Sequence, residues 1–525
     1  MSLSRKTKIV LGILAIAAFV FFASVVALLR VPAPLERWLQ ARVLLALREH
    51  YRSEVQLENL HVTLIPEFRA TADRFVLPNR KDATLPPLLT VRHFTVTADP
   101  LELLRRPVHL GTLKLEGLEI HVPPKRNRVQ QSSSPEANEQ QRHRRRGTRW
   151  ANFVIDRVNA DGTMLYILPK QADKEPTEFD IRRLSLRSAG IGQPMKFQAE
   201  LTNPKPPGII QSGGHFGPWN FDEPSETKVD GDYSFHNADL SVFKGISGIL
   251  SSSGNYRGVL RNIVIDGTTD TPEFKLDRGA TPVHLSTQFH AIVDGTNGNT
   301  YLQPVNAQFL HSNVVAKGAV AGQPGRKGKT ITLDVDVHDS RVQDMLALAS
   351  DTKKALLTGQ LKFMSRMVLP PGDEDVLDKL QLQGRFHVTD AHFNNEQMRN
   401  KVTEMSRRGQ GRPTDQSIQD VPAEFAGSFQ LNNSTMSFRK LQFAIPGAQA
   451  EVDGSYGLLS QKLDFTGSVK LEATVSQTMT GKKRWLLKPV DPIFMRHASG
   501  TYLPVNIKGT REHPEIKLDL GKLFH

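Results

Sequence analysis

The 525-residue sequence contains no cysteine. That absence removes disulfide frameworks, zinc ribbons, iron–sulfur clusters and thiol nucleophiles. The short catalytic signatures are missing too: there is no G-x-S-x-G, no H-E-x-x-H and no P-loop. His215, His284, His290 and His311 are scattered without metal-ligand spacing. DGTNGN at 294–299 lacks the closing Glu of a calcium loop and reads as a hairpin turn. No catalytic residue, metal or cofactor is expected, and the chain does not read as an enzyme. Negative charge is in deficit: 54 Asp and Glu face 67 Lys and Arg, a net +13 that favours anionic surfaces without naming one. A hydrophobic content of 39% is too high for a disordered chain, and the length suits two or three domains.

Long apolar runs are also scarce, with one exception. Residues 9–29 read IVLGILAIAAFVFFASVVALL, uncharged throughout, with Ile9, Leu11, Phe19, Phe21, Phe22 and Leu29 among its anchoring side chains. A helix of that length crosses the roughly 30 Å hydrocarbon core of a bilayer. A cleaved signal peptide would carry a shorter apolar core and small residues at its exit, where this chain has Leu28, Leu29 and Arg30. The segment is therefore read as an uncleaved anchor, its short basic head cytoplasmic and the long remainder outside the cytoplasm. Pro34 to Tyr51 follows with Leu35, Trp38, Leu39, Val43, Ala46 and Leu47 at helical spacing.

From Val55 the period changes to two, and strands are expected almost to the C-terminus. The piece DPLELLRRPVHLGTLKLEGLEIHVP (99–123) reads as a short turn and helix feeding paired strands through Gly111 and Gly117. Residues 123–150 break the pattern, with eight Lys or Arg, two Glu and almost nothing apolar, as in a solvated loop. Nucleic acid is not an expected partner, because no aromatic platform or zinc motif accompanies this basic run. Further on, one glycine unit recurs: Gly231, Gly384, Gly454, Gly467 and Gly509 each occupy an inward position of an alternating strand. Such glycines mark bends or bulges, so the sheet is expected to curve systematically. Two helical interruptions are expected. One carries Val342, Met345, Leu346 and Ala349 behind an N-capping Ser340; the other carries Met398, Val402 and Met405, with Gly409 just past its end.

The stretch from Glu424 to Leu471 alternates most clearly, one face apolar and the other polar. An apolar face must be covered by a second sheet, closed into a barrel, or left as a trough for apolar ligands. Alternation alone does not choose among these.

Several of these pieces, in order, resemble one family. The anchor, the helix after it, the 99–123 element and FVIDRVNADGTMLYILPK (153–170) are similar to the amino-terminal region of AsmA-like proteins. The middle carries HFGPWNFDEPSETKVDGDYSFHNADLSVFKGISG and its continuation. TMSFRKLQFAIPGAQAEVDGSYGLLSQKLDFTGSVKL, LLKPVDPIF and LPVNIKGTREHPEIKLDL resemble the carboxy-terminal domain. The resemblance implies a mainly β fold: a transmembrane helix, then a long curved antiparallel sheet forming a half-pipe groove with a few short capping helices, as in TamB-like and chorein-type proteins.

It also implies a division into head and anchor (1–30), chorein-like helix and strands (31–122), basic loop (123–150), central groove (151–350) and C-terminal β domain (351–525). The implied role is movement of glycerophospholipids from the bacterial inner membrane, through the periplasm, towards the outer membrane, with phospholipids and an outer-membrane or envelope protein as partners. The candidate lining is Phe429, Leu431, Phe438, Phe443, Leu463, Phe465, Val469 and Leu471. The alternative reading is a scaffold for outer-membrane biogenesis that carries no lipid.

Overall fold

The computed structural model describes residues 55–63, 67–79, 84–99, 108–122, 153–168, 176–190, 194–218, 220, 223–276, 281–323, 328–349, 355–479, 501–510 and 513–518. The expected anchor with Ile9, Leu11, Phe19, Phe21, Phe22 and Leu29, the helix expected over 34–51 and the basic segment 123–150 lie outside the described residues. Among the described residues, no helix is long and apolar enough to cross a membrane.

The strands form one sheet. It opens with β1 (Gln56–Thr63), β2 (Phe68–Leu77), β3 (Leu89–Ala98) and β4 (Val108–Val122). β5 (Phe153–Ile167), β6 (Thr177–Gly190), β7 (Met195–Pro204), β8 (Pro207–Phe216) and β9 (Lys228–Asp239) follow. A two-residue β10 (Ile246–Ser247) precedes β11 (Ile249–Val259), β12 (Asn262–Leu276), β13 (Val283–Asp294), β14 (Asn299–Phe309), β15 (Ser312–Gly322) and β16 (Lys329–Arg341). Helix α1 (Val342–Ala349) leads into β17 (Leu357–Leu369), and α2 (Val376–Lys379) into β18 (Gln381–Phe393). After α3 (Glu396–Gly409) come β19 (Ala423–Asn432), β20 (Thr435–Ile445), β21 (Ala448–Gly457), β22 (Lys462–Leu471), β23 (Thr501–Thr510) and β24 (Pro514–Leu518).

Each strand pairs with the next in sequence, apart from β10, which adds a short pairing to the end of β12 while β9 pairs with β11. The outermost strands, β1 and β24, each have one partner among the described strands, so the sheet is open. Among the described residues no second sheet faces it, so the described strands do not form a sandwich. Every pairing is antiparallel except β4 with β5, which is parallel. A parallel step needs a crossover of a dozen or more residues, and the chain between Val122 and Phe153 supplies it. The sequence does not show that the chain comes back to begin β5 beside the first residues of β4, with Phe153 next to Val108.

Three local expectations are corrected. Residues 108–122 are one continuous strand, not a pair: Gly117 adopts φ +62 within β4 with the Arg92 side chain beside it, so it absorbs an irregularity without reversing the chain. Ser340 lies in β16 and donates its hydroxyl to the Asn313 carbonyl, so it does not cap α1. In α3, Asn395 accepts from Met398 N and caps the helix, Gly409 is its last residue, and Met398 faces outward at 44% exposure.

The sheet also winds. The β9–β10 connection lies at the strand ends where α1 and α3 sit, whereas the β17–β18 connection lies at the opposite ends. The two nevertheless meet: Val376 N donates to Lys244 O at 2.9 Å, and Lys205 Nζ lies 3.9 Å from Asp373. Helices α1 and α3, with the segment after α3, pack against the ends of β17–β23 around Leu361, Val388, Val402, Ile445 and Leu471.

Candidate functional site

Directly opposed residues in neighbouring strands share a face of the sheet, so the register can be followed from strand to strand. One row starts at Ala72 in β2 and passes through Phe94, Leu115, Ala160 and Leu184. It continues through Ala199, Ser212, Tyr233, Gly254 and Gly267 to β12. Phe289, Val305, Ala316, Val335 and Ser365 carry it to β17. Gly384, Phe429, Phe438, Gly454, Phe465 and Ile507 complete it in β23. No member is charged. At about 4.8 Å per strand step the row is on the order of 95 Å long. The neighbouring row, from Val62 in β1 by way of Leu186, Gly231, Ile265, Leu333 and Leu431 to Gly509 in β23, is equally free of charge.

All eight residues singled out by alternation lie on this face. Phe429, Leu431, Phe465 and Leu471 are buried; Phe438, Phe443, Leu463 and Val469 are half-buried. Six of them fall into two clusters. Phe443, Val469 and Leu471 pack into the cluster that α1 and α3 cover. Phe438, Leu463 and Phe465 belong to a cluster built only from strand residues. In the central strands, Phe289, Val305, Leu333, Val335 and Met367 stay half-buried on the same face.

Gly231, Gly384, Gly454, Gly467 and Gly509 also occupy this face. At each of them a Cβ would stand between 2.1 and 2.5 Å from a carbonyl oxygen of an adjoining strand or turn. Crowding of that kind arises where a sheet folds towards the side in question. The space left by the missing side chains is filled by rings from adjoining strands. Phe438 and Phe465 stand directly opposite Gly454 from either side, and their centroids are 5.9 Å apart although the strands are two steps apart. Phe363 stacks on Phe429 at 5.4 Å, and Phe386 meets Phe429 and Phe438 at 6.3 and 6.4 Å.

The middle of the face is more polar. Tyr256, opposite Gly231, reaches across β9 so that its hydroxyl lies 2.7 Å from Ser212 Oγ; Tyr233 OH lies 2.9 Å from Ser252 Oγ. Ser212 and Ser252 donate onward to the carbonyls of Asp232 and Thr268. Burial pushes both phenols above their usual pKa. They remain neutral, tied to the sheet, with their rings towards the open side. Sequence reasoning missed this stretch because serine, threonine and tyrosine dilute its alternation. Only the register joins it to the clearer runs on either side.

The opposite face is charged. His93, His215, His284 and His290 each sit against one carboxylate of an adjacent strand: Asp73 at 2.8 Å, Asp230 at 3.1 Å, Asp270 at 2.5 Å and Asp266 at 2.7 Å. His311 lies 3.6 Å from Asp344. Among the described residues, no three His, Asp or Glu side chains converge as metal ligands. In the DGTNGN turn, Asp294 accepts hydrogen bonds from Thr296 and Asn297. Comparison with protein-family models, curated proteins and solved structures returned no match.

Proposed function

We propose that the uncharged face is a trough along which the acyl chains of glycerophospholipids travel. In this reading residues 9–29 hold the chain in a bacterial inner membrane and the sheet extends through the periplasm towards the outer membrane, where an envelope protein receives the lipid. The single observation that carries the reading is the row from Ala72 to Ile507, in which every strand step offers an uncharged residue. Each CH₂ kept out of water contributes about 0.8 kcal/mol. A two-chain lipid therefore faces a prohibitive barrier in open water, and a continuous apolar surface lowers it. One charged side chain in the row would restore much of that barrier, since a bare charge in an apolar setting is costly.

Further support comes from the order of sequence elements that resembles AsmA-like proteins, and from half-buried apolar side chains in the central strands with no second sheet over them among the described residues. The test is the lipid content of the full chain extracted in mild detergent, read by mass spectrometry for wild type and Val335→Glu. Val335 is half-buried, so the variant is expected to keep the wild-type circular dichroism spectrum while losing most co-purifying phospholipid. Wild-type protein free of phospholipid would contradict the reading and favour a scaffold.

A further inference from the structure

Helix α3 covers one end of the apolar face and brings charge to it. Its buried side is fixed firmly: Ser406 Oγ donates to Pro446 O at 2.7 Å, Arg407 donates to Ile418 O at 2.6 and 3.0 Å, and Ala473 N donates to Gly409 O at 2.8 Å. Next to that side runs a second stripe, Lys401, Glu404, Met405 and Arg408, at the i, i+3, i+4, i+7 spacing that aligns side chains along a helix. The stripe faces Leu471 and Thr478 across a cavity of about 270 Å³. Met405 and Leu471 form an apolar floor continuous with Val469 and Phe443.

The charges of the rim are unequal. Glu404 Oε1 accepts from Arg408 Nε and Nη2 at 2.9 and 2.7 Å, and Arg408 Nη1 makes two long contacts, 3.5 Å to Thr478 O and 4.0 Å to Met479 Sδ. Lys401 is exposed and has no ion pair or hydrogen bond among the described residues. Two cations against one carboxylate leave a net charge of +1 beside an apolar floor. That combination matches one phosphodiester carried on hydrocarbon. The cavity falls below the roughly 300–1,000 Å³ of pockets that engulf a whole ligand, so it suits a headgroup whose tails lie elsewhere.

We propose that this cavity is a headgroup site, in which Lys401 and Arg408 hold the phosphodiester of a glycerophospholipid while its tails rest on the apolar face beyond Leu471. The proposal rests on the trough reading and deepens it by fixing where a lipid stops at the C-terminal end of the sheet. Nη1 of Arg408 and the Lys401 ammonium supply charge-assisted hydrogen bonds. Glu404 holds the guanidinium in place and keeps the site from attracting more than one anion.

The experiment titrates the full chain, in mild detergent, with two fluorescent probes bearing identical acyl chains: a phosphatidylglycerol and the corresponding diacylglycerol. Wild type is expected to prefer the phosphatidylglycerol by about tenfold, and 1 M salt is expected to shrink that preference. Lys401→Gln with Arg408→Gln is expected to bring the ratio close to one while diacylglycerol binding stays the same. Lys401→Gln alone, which disturbs no helix contact, is expected to fall between the two. Variants that keep the wild-type ratio would overturn the headgroup site, and so would equal binding of both probes by wild type. Displacement of the lipid probe by micromolar glycerol 1-phosphate would also overturn it, since that outcome means a free-phosphate site needing no tails. If wild type binds neither probe, the trough reading falls as well.

Discussion

Asp344 joins α1 to the sheet through one carboxylate. It is 4% exposed, and it accepts from His311 N at 3.0 Å and from the buried Ser312 hydroxyl at 2.8 Å. Asp344→Ala leaves both donors unpartnered, and a stranded buried polar group costs roughly 1–3 kcal/mol. That loss should appear as a lower urea midpoint with an unchanged slope. His392 offers a second residue-level test. Burial opposes its protonation, but Asp420 and Asp390, each 3.1 Å from a ring nitrogen, outweigh burial and hold its pKa above the ordinary 6.5. The folded state thus binds this proton more tightly than the unfolded chain does. The stabilisation is complete below about pH 6.5 and is lost as pH rises through the raised value. An NMR titration of His392 should give a midpoint above 6.5 that falls in Asp420→Asn. A midpoint at or below 6.5 in the wild type would contradict the assignment.

At the level of the strand, glycine placement and register decide the shape. A Cβ on Gly454 would stand 2.3 Å from the Asp464 carbonyl oxygen, whereas one on Gly213, on the polar face, would find its nearest neighbour at 3.5 Å. Overpacking of a rigid site costs about 1–3 kcal/mol and occasionally more. Gly454→Val should therefore lower the thermal midpoint markedly, while Gly213→Ala should change stability by less than about 1 kcal/mol. Equal effects would mean that the close approach at Gly454 is not structural.

Much at this scale is legible in the sequence. The strands between Glu424 and Leu471 follow from alternation alone, and the recurring inward glycines announce a curved sheet. What alternation does not carry is irregularity. Positive φ at Asn59 accompanies a slip in the β1–β2 register, and Gly117 stays inside a fifteen-residue strand because nothing local distinguishes a bulge from a turn. The parallel step from β4 to β5 is hidden for another reason: the pairing depends on where β5 begins relative to β4, and the composition of the residues between them carries no such information.

At the largest scale, the defining feature is that the described strands form one open sheet, with no second sheet among the described residues facing its apolar side. The sequence leaves sandwich, barrel and trough open, because all three need the same alternating strands. Long-range register separates them, and it also brings into one row residues as unlike as Leu184, Tyr233, Val335 and Phe465. The candidate lining picked out by alternation comes from β19, β20 and β22, where large apolar residues are dense. The central strands contribute to the same face with smaller and hydroxylated side chains, which periodicity passes over. The account therefore turns on whether lipid tails touch the row along its length. The most direct measurement places a photo-crosslinking amino acid, one at a time, at Leu184, Phe289, Val335 and Phe438 in the row, and at Arg183 and Tyr301 on the opposite face, in cells of a bacterium with two membranes. The trough predicts phospholipid adducts at all four row positions and none at the two controls. Adducts at neither set, or equally at both, would contradict it.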